Sequence, residues 1–247
     1  MIYTNDPLKL GASGRAVTFL QARLGLMPHG VFDAVTDETL KRAQSAARLV
    51  ADGIYGPVTN AALTVAHPQT LTAVANGIAV EPRALQALVS VEAAGRGFYA
   101  TGLPKILLER HYVYRQATAA QRQQLTPDVC NATPGGYLGG LAEWSRFDKV
   151  AAVDVNLAIE SCSWGIAQIM GIQCQRFNVA PATFMLQQAT DEDAQLMFLG
   201  RFIQANASLL AALRAKNWPQ VARLYNGAGY LANQYDAKLA AAYARAA

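Results

Sequence analysis

A chain of 247 residues with 52% hydrophobic and only 15% charged residues is packed and globular, long enough for a small module plus a medium-sized domain, and too apolar for disorder. Its net charge of +4 gives mild attraction to anionic polymers, but no basic run or RNA-binding signature comes with it, which argues against a nucleic-acid partner. No apolar stretch is long enough to span a bilayer, and the opening segment (MIYTNDPLKLG) lacks the basic and apolar regions of a signal peptide. The cysteines, Cys130, Cys162 and Cys174, are odd in number and lack metal-ligand spacing, so three free thiols and no metal site are expected. A Cys162–Cys174 bridge is the alternative.

The N-terminal part contains an internal repeat. After an opening helix from about Arg15 to Leu24, the run Gly30–Leu40 aligns with Gly53–Leu63 at an offset of 23 residues, which also pairs Val17 with Leu40 and Gln21 with Gln44. Each unit reads as a helix, a glycine turn, a short extended piece with an aromatic residue, and a threonine, Thr36 or Thr59, that caps the next helix. Units of this size cannot bury an apolar face alone and must pack on each other. The expectation is a three-helix module over residues 1–66, followed by a short connector across Thr64–Thr70 and a larger domain over residues 72–247. The two parts are expected to touch.

The larger domain reads as mostly helical with a small β element. Its first helix, Pro82–Ala93, places Leu85, Leu88, Val89 and Glu92 at i, i+3, i+4 and i+7 on one apolar face and ends near Gly95 or Gly97. Glu92 therefore stands in the last turn, where burial and the negative end of the helix dipole both disfavour its anion. A carboxyl group that stays protonated near neutral pH is what a general acid requires. A brief strand at Ile106–Leu108 follows and leads through Glu109, Arg110 and His111 into a helix carrying Tyr112 and Tyr114. Gly135–Gly140, with Tyr137 at its centre, reads as a flexible loop of the kind that lines a cleft. One helix is expected from Leu141 to Ser161, then the segment Ser163–Gly171. Further helices are expected at Ala182–Gln188, Asp191–Ala205 (capped by Thr190, with Asp193 completing a capping box), Ser208–Ala215, Pro219–Tyr225 and Ala232–Ala246.

Four stretches in this order carry a family resemblance: Val91-Glu92, GLPKILLERH (102–111), SWGIAQIMG (163–171) and YNGAGY (225–230). Together they resemble the phage-type N-acetylmuramidase domain of the lysozyme-like superfamily, which includes goose-type lysozymes and lytic transglycosylases. Asp52–Thr59 (DGIYGPVT) resembles the D-G-x-x-G-x-x-T turn of the type 1 peptidoglycan-binding domain. The first copy departs from it, with His29 and Asp33 in place of the Asp and second Gly, and Ala43 stands where that family commonly has Phe. The resemblance implies a modular endolysin whose Glu92 protonates the MurNAc–GlcNAc β-1,4 glycosidic oxygen. It implies a second carboxylate, for which Glu109 ranks ahead of Glu160, Asp154 and Glu143. Gln168, Tyr225, Asn226 and Tyr137 are the expected saccharide contacts, and Asp52, Tyr55 and Thr59 the expected wall contacts.

Trp164 is expected in the core, His111 in a structural role, and Arg110 in a surface pair with Glu109. The implied enzyme needs no metal or cofactor, has peptidoglycan as its partner and acts as a monomer without stable membrane insertion. It would be made in a host cytoplasm without a signal peptide and reach the wall after membrane permeabilisation. Two other outcomes stay open at this stage. One is a lytic transglycosylase, in which the sugar's own 6-hydroxyl attacks; the other is a non-catalytic wall-binding protein.

Overall fold

Two glutamines one repeat apart organise the N-terminal module of this computed structural model, which describes residues 6–92 and 96–246. Its helices are α1 (Arg15–Arg23), α2 (Ala34–Ala46) and α3 (Pro57–Thr64). From α1, Gln21 accepts from the backbone N–H groups of His29 and Gly30 and donates to Val31 O and Thr36 Oγ1. From α2, Gln44 accepts from Gly53 N and donates to Asp52 Oδ1, Ile54 O and Thr59 Oγ1. Each buried amide thus staples the turn that follows its own helix, with its polar atoms paired. The threonines do not cap their helices as expected. Asp33 caps α2 by accepting from Thr36 N at 2.8 Å, and α3 starts from Gly56 with Pro57 in its first turn. Thr36 and Thr59 each stand three residues past the cap and meet the glutamines. Val17, Leu20, Phe32, Leu40 and Tyr55 form the module's own small core.

The expected connector is shorter than its sequence suggested, because α4 (Pro68–Gly77) begins at Pro68. The chain before it is tethered: Ala66 N donates to Glu192 Oε2 at 3.2 Å and His67 N to Asp193 Oδ1 at 2.9 Å. The larger domain continues with α5 (Pro82–Glu92), β1 (Ile106–Leu108), α6 (Arg110–Gln116), α7 (Ala119–Gln123), α8 (Ala142–Ala151), α9 (Val155–Glu160) and β2 (Cys162–Trp164). A 3-10 turn at Gly165–Ala167 leads into β3 (Ile169–Met170), then α10 (Gln173–Arg176), α11 (Pro181–Thr190) and α12 (Glu192–Gln204). Finally come α13 (Ala207–Arg214), α14 (Trp218–Asn226), a 3-10 segment at Ala228–Asn233, and α15 (Tyr235–Arg245). The strands form one antiparallel sheet in the order β1-β2-β3, with Ile106 opposite Trp164 and Ser163 opposite Met170. The fold is mainly α with a small β element. No single helix among the described residues is long and apolar enough to cross a membrane.

Three boundaries differ from expectation for local reasons. The anticipated helix from Leu141 to Ser161 is two helices, because Asp154 turns extended and caps α9 by accepting from Asn156 N and Leu157 N. Asp191, not Thr190, caps α12 by accepting from Ala194 N, while Asp193 turns to His67. The last helix begins at Tyr235, after the 3-10 segment. The anticipated end of α5 around Ala93–Gly95 lies outside the described residues.

The main core is an aromatic stack. Trp164 meets Trp144, Phe147 and Phe184 edge to face at 5.8, 6.0 and 5.9 Å, a geometry worth about 0.5–1.5 kcal/mol per pair beyond area burial. Trp164 is a core residue, as expected. Phe19 of α1 joins the same stack, 5.6 Å from Trp144, so the small module inserts a side chain into the large core. Arg15 pairs with Asp148 at 2.8 Å across the same junction and lies over the Phe147 ring. All three cysteines are free, and Cys162 and Cys174 are buried.

Candidate active site

Helix α5 buries Leu85, Leu88 and Val89 completely or nearly so, and the next position on that stripe is Glu92. The helix thus delivers a carboxyl group into a cleft of about 700 Å³. Its neighbour there is Asn226, the last residue of α14, whose Nδ2 donates to Glu92 Oε1 at 2.8 Å. Gly227 follows with φ 85°, a conformation open to glycine at little cost, and it ends the helix at the cleft's edge. Burial pushes the Glu92 pKa up to about 7, against the hydrogen bond from Asn226, which lowers it.

Further lining comes from the sheet and the glycine loop. Glu109, directly after β1, accepts from Tyr137 Oη at 2.8 Å, and His111 Nδ1 lies 3.1 Å from the same oxygen. Glu92 and Glu109 are the two carboxylates among the residues lining the cleft. The other candidates are spent elsewhere. Glu160 accepts from Gln175 at 2.7 Å, Asp154 caps α9, and Glu143 is wholly buried in an ion pair with Arg146. Arg110 does not pair with Glu109 as expected; its guanidinium donates to Thr133 O and Pro134 O and braces the start of the glycine loop.

Gln168 and Tyr225 also line the cleft. Gln168 has left-handed backbone (φ 49°), accepts from Ser163 Oγ at 2.8 Å and donates to Gly165 O at 2.9 Å. That leaves one amide N–H and one oxygen lone pair for a ligand. Gly165, which opens this turn, has φ 68°, and a Cβ there would lie 2.4 Å from Gln195. Tyr225 commits its hydroxyl to Ala167 O at 2.6 Å, so it offers the cleft a ring and fixes the Gln168 turn from behind. Tyr235, from the start of α15, also lines the cleft and lies close enough to Glu92 for the carboxylate to raise its pKa, although burial is the larger cause. Nothing in the sequence singled out Tyr235; it enters by the packing of α15 on α5 and α14.

Glu143 is the residue the sequence undervalued. Its Oε1 accepts from Leu138 N and Gly139 N at 2.7 and 3.0 Å, beside Tyr137. Its Oε2 accepts from Leu108 N at 3.0 Å, beside Glu109, and from Arg146 Nη1 at 2.7 Å. One buried carboxylate thereby sets the backbone on both sides of the Tyr137–Glu109 contact. Glu143→Gln places an amide NH₂ against these donors and leaves the buried Arg146 charge without its carboxylate, held only by Leu108 O and Asp128 O. It is expected to lower kcat on purified peptidoglycan by about 10- to 100-fold. A kcat within about twofold of wild type in a folded variant would remove the positioning role.

The expected wall contacts need correction. Tyr55 and Thr59 are buried, Tyr55 under Arg23 and Asn60 and Thr59 under Gln44. These two side chains face inward and shape the turn, leaving polymer contact to the motif's exposed positions. Of the three expected contacts Asp52 alone stays exposed, with Oδ1 accepting from Gln44 and Ile54 N.

An N-acetylmuramidase family model matches residues 81–247, and a peptidoglycan binding domain model matches residues 13–63. Among solved structures, the crystal structure of the Burkholderia AP3 phage endolysin is similar at 35% identity and a TM-score of 0.69, covering 98% of both chains. No curated protein matches significantly. With the muramidase match spanning most of its length and a peptidoglycan-binding module packed in front, the chain belongs to the N-acetylmuramidase family of peptidoglycan-cleaving enzymes.

Proposed function

We propose that the enzyme hydrolyses the MurNAc–GlcNAc β-1,4 bond of peptidoglycan, as a glycoside hydrolase and endolysin. The observation that carries this reading is Glu92, a half-buried carboxyl with a pKa raised to about 7, lining the same cleft as Glu109. Glu92 donates its proton to the departing glycosidic oxygen as the bond to the anomeric carbon breaks. Water adds to that carbon and passes its proton to Glu109, which the Tyr137 hydroxyl holds in place. Asn226 orients the acid, and Gln168 and the Tyr225 ring support the saccharide. The docked module raises the local concentration of the active site on the wall. In this reading the protein acts on the wall of a bacterial host after its membrane is permeabilised, and lyses the cell.

Mass spectrometry of muropeptides released from purified sacculi tests the chemistry. Wild type is expected to leave reducing-end MurNAc, and Glu109→Gln to release it about 100-fold more slowly. A 1,6-anhydro-MurNAc product would replace hydrolysis with transglycosylation. An unimpaired Glu109→Gln variant would take the base role from Glu109.

A further inference from the structure

The repeat of the N-terminal module turns one set of apolar side chains inward and a second set outward. Inward, the fold needs Val17, Leu40, Phe32 and Tyr55, all at most 2% exposed. Outward, Met27, Val31 and Val35 are 83, 50 and 59% exposed, and their counterparts one repeat later, Val50, Ile54 and Val58, are 80, 41 and 70% exposed. Of the 14 large hydrophobic side chains exposed among the described residues, eight fall between residues 10 and 65. That is more than half of them in roughly a quarter of the chain, so ordinary scatter does not account for them. Nor does folding, since the core is complete without them.

Backbone pairing brings the two sets together. Leu8 exchanges hydrogen bonds with Tyr55 at 3.0 and 2.8 Å. A few residues on, Gly11 N donates to Phe32 O, Phe32 N to Ala12 O and Gly14 N to Gly30 O, at 2.9, 2.8 and 2.8 Å. The two turns therefore pair with one segment, and Leu10, itself 60% exposed, lies on a turn of that segment between the two pairings. His29 and Asp52, also one repeat apart and exposed, add a polar group at the head of each turn.

We propose that this doubled apolar face is the module's grip on peptidoglycan, its two halves contacting the N-acetylated sugars of one glycan strand. The inference rests on peptidoglycan being the module's ligand, which the family match over residues 13–63 supports; that match spans both turns. A polymer with a repeating unit suits a surface with a repeating contact. Acetamido and lactyl methyls and sugar C–H faces are apolar enough for valine and isoleucine, and ring hydroxyls can reach His29 and Asp52. Two weak contacts on one strand reinforce each other, so losing both halves costs more than the two single losses combined.

The test uses the full chain. Serine replaces Val31 and Val35, Ile54 and Val58, or all four, at positions whose exposure spares the core. Co-sedimentation with insoluble sacculi is expected to fall about threefold for either pair and more than tenfold for the quadruple variant. Turnover of short soluble glycan fragments should stay unchanged. Wild type that fails to co-sediment would sink the peptidoglycan reading of the module. Wild type and quadruple variant that bind sacculi equally would sink only the assignment of this face. A wild-type dimer in sedimentation velocity, or flotation with phospholipid vesicles, lost in the quadruple variant would reassign the face to self-association or to lipid.

Discussion

Glu92→Gln is expected to lower kcat by about 1,000-fold, in line with the loss of a general acid, while making the folded protein more stable at pH 8 and not at pH 4. Gln keeps the shape and can still accept from Asn226, but it cannot carry charge or give a proton. The pH dependence follows from the carboxyl titrating near 4.5 when unfolded and near 7 when folded. Below pH 4.5 the group is neutral in both states, so the substitution changes little. Between these values the folded state holds a proton that the unfolded state has released, and above pH 7 the native enzyme must carry a partly desolvated anion. The gain from Gln therefore grows from pH 4.5 to 7 and levels off at about 3 kcal/mol. For a chain of this size that is a rise of about 6–12 °C in Tm. Thermal melts of both proteins from pH 4 to 9 check it, and a Tm difference independent of pH would mean burial is not what raises Glu92. The same titration predicts that wild-type kcat/KM declines as pH rises past about 7.

What could be read from the sequence was what short-range pattern encodes. Glu92 stood out because three apolar neighbours at helical spacing fix which way it points, and that relation holds inside a single helix. The repeat of Gln21 and Gln44 was visible for the same reason. Glu143 shows the limit. Its four donors come from strand β1, the glycine loop and its own helix α8, and no spacing along the chain predicts that these converge. Tyr55 and Thr59 show a different one. The D-G-x-x-G-x-x-T pattern reports a turn geometry faithfully, but it does not reveal that a second domain covers one side of that turn. The long helix expected from Leu141 failed where two local signals competed. Apolar spacing continued through Val153 and Leu157, yet the Asp154 carboxylate found two backbone donors and started a new helix.

That covered turn leads to the second large effect, in which Arg23→Ala separates the two parts of the enzyme. Arg23 closes α1 and spans the junction. It donates to Thr190 O at 2.6 Å, to Ala189 O at 2.7 Å, to Gly102 O at 3.1 Å and to the Tyr55 hydroxyl. Its guanidinium also lies over the rings of Phe98 and Tyr55, 4.9 and 5.5 Å from their centroids. Hydrogen bonds from a charged donor are worth about 1.5–3 kcal/mol each, though not additively, and Ala leaves three carbonyls short of a partner. The expected loss is about 3 kcal/mol, with Tm lower by about 6–12 °C. Arg23→Lys should recover only part of it, since an ammonium cannot reproduce the planar fork that reaches several acceptors at once. In calorimetry the wild type is expected to unfold in one transition, because Phe19 and Arg23 tie the module into the large core. Arg23→Ala should split that transition in two. Two well-separated transitions already present in wild type would show the junction to be weak and the module free to swing. A rigid junction instead means that any wall face on the module stands at a fixed orientation to Glu92, so the strand it holds is presented to the cleft in one direction.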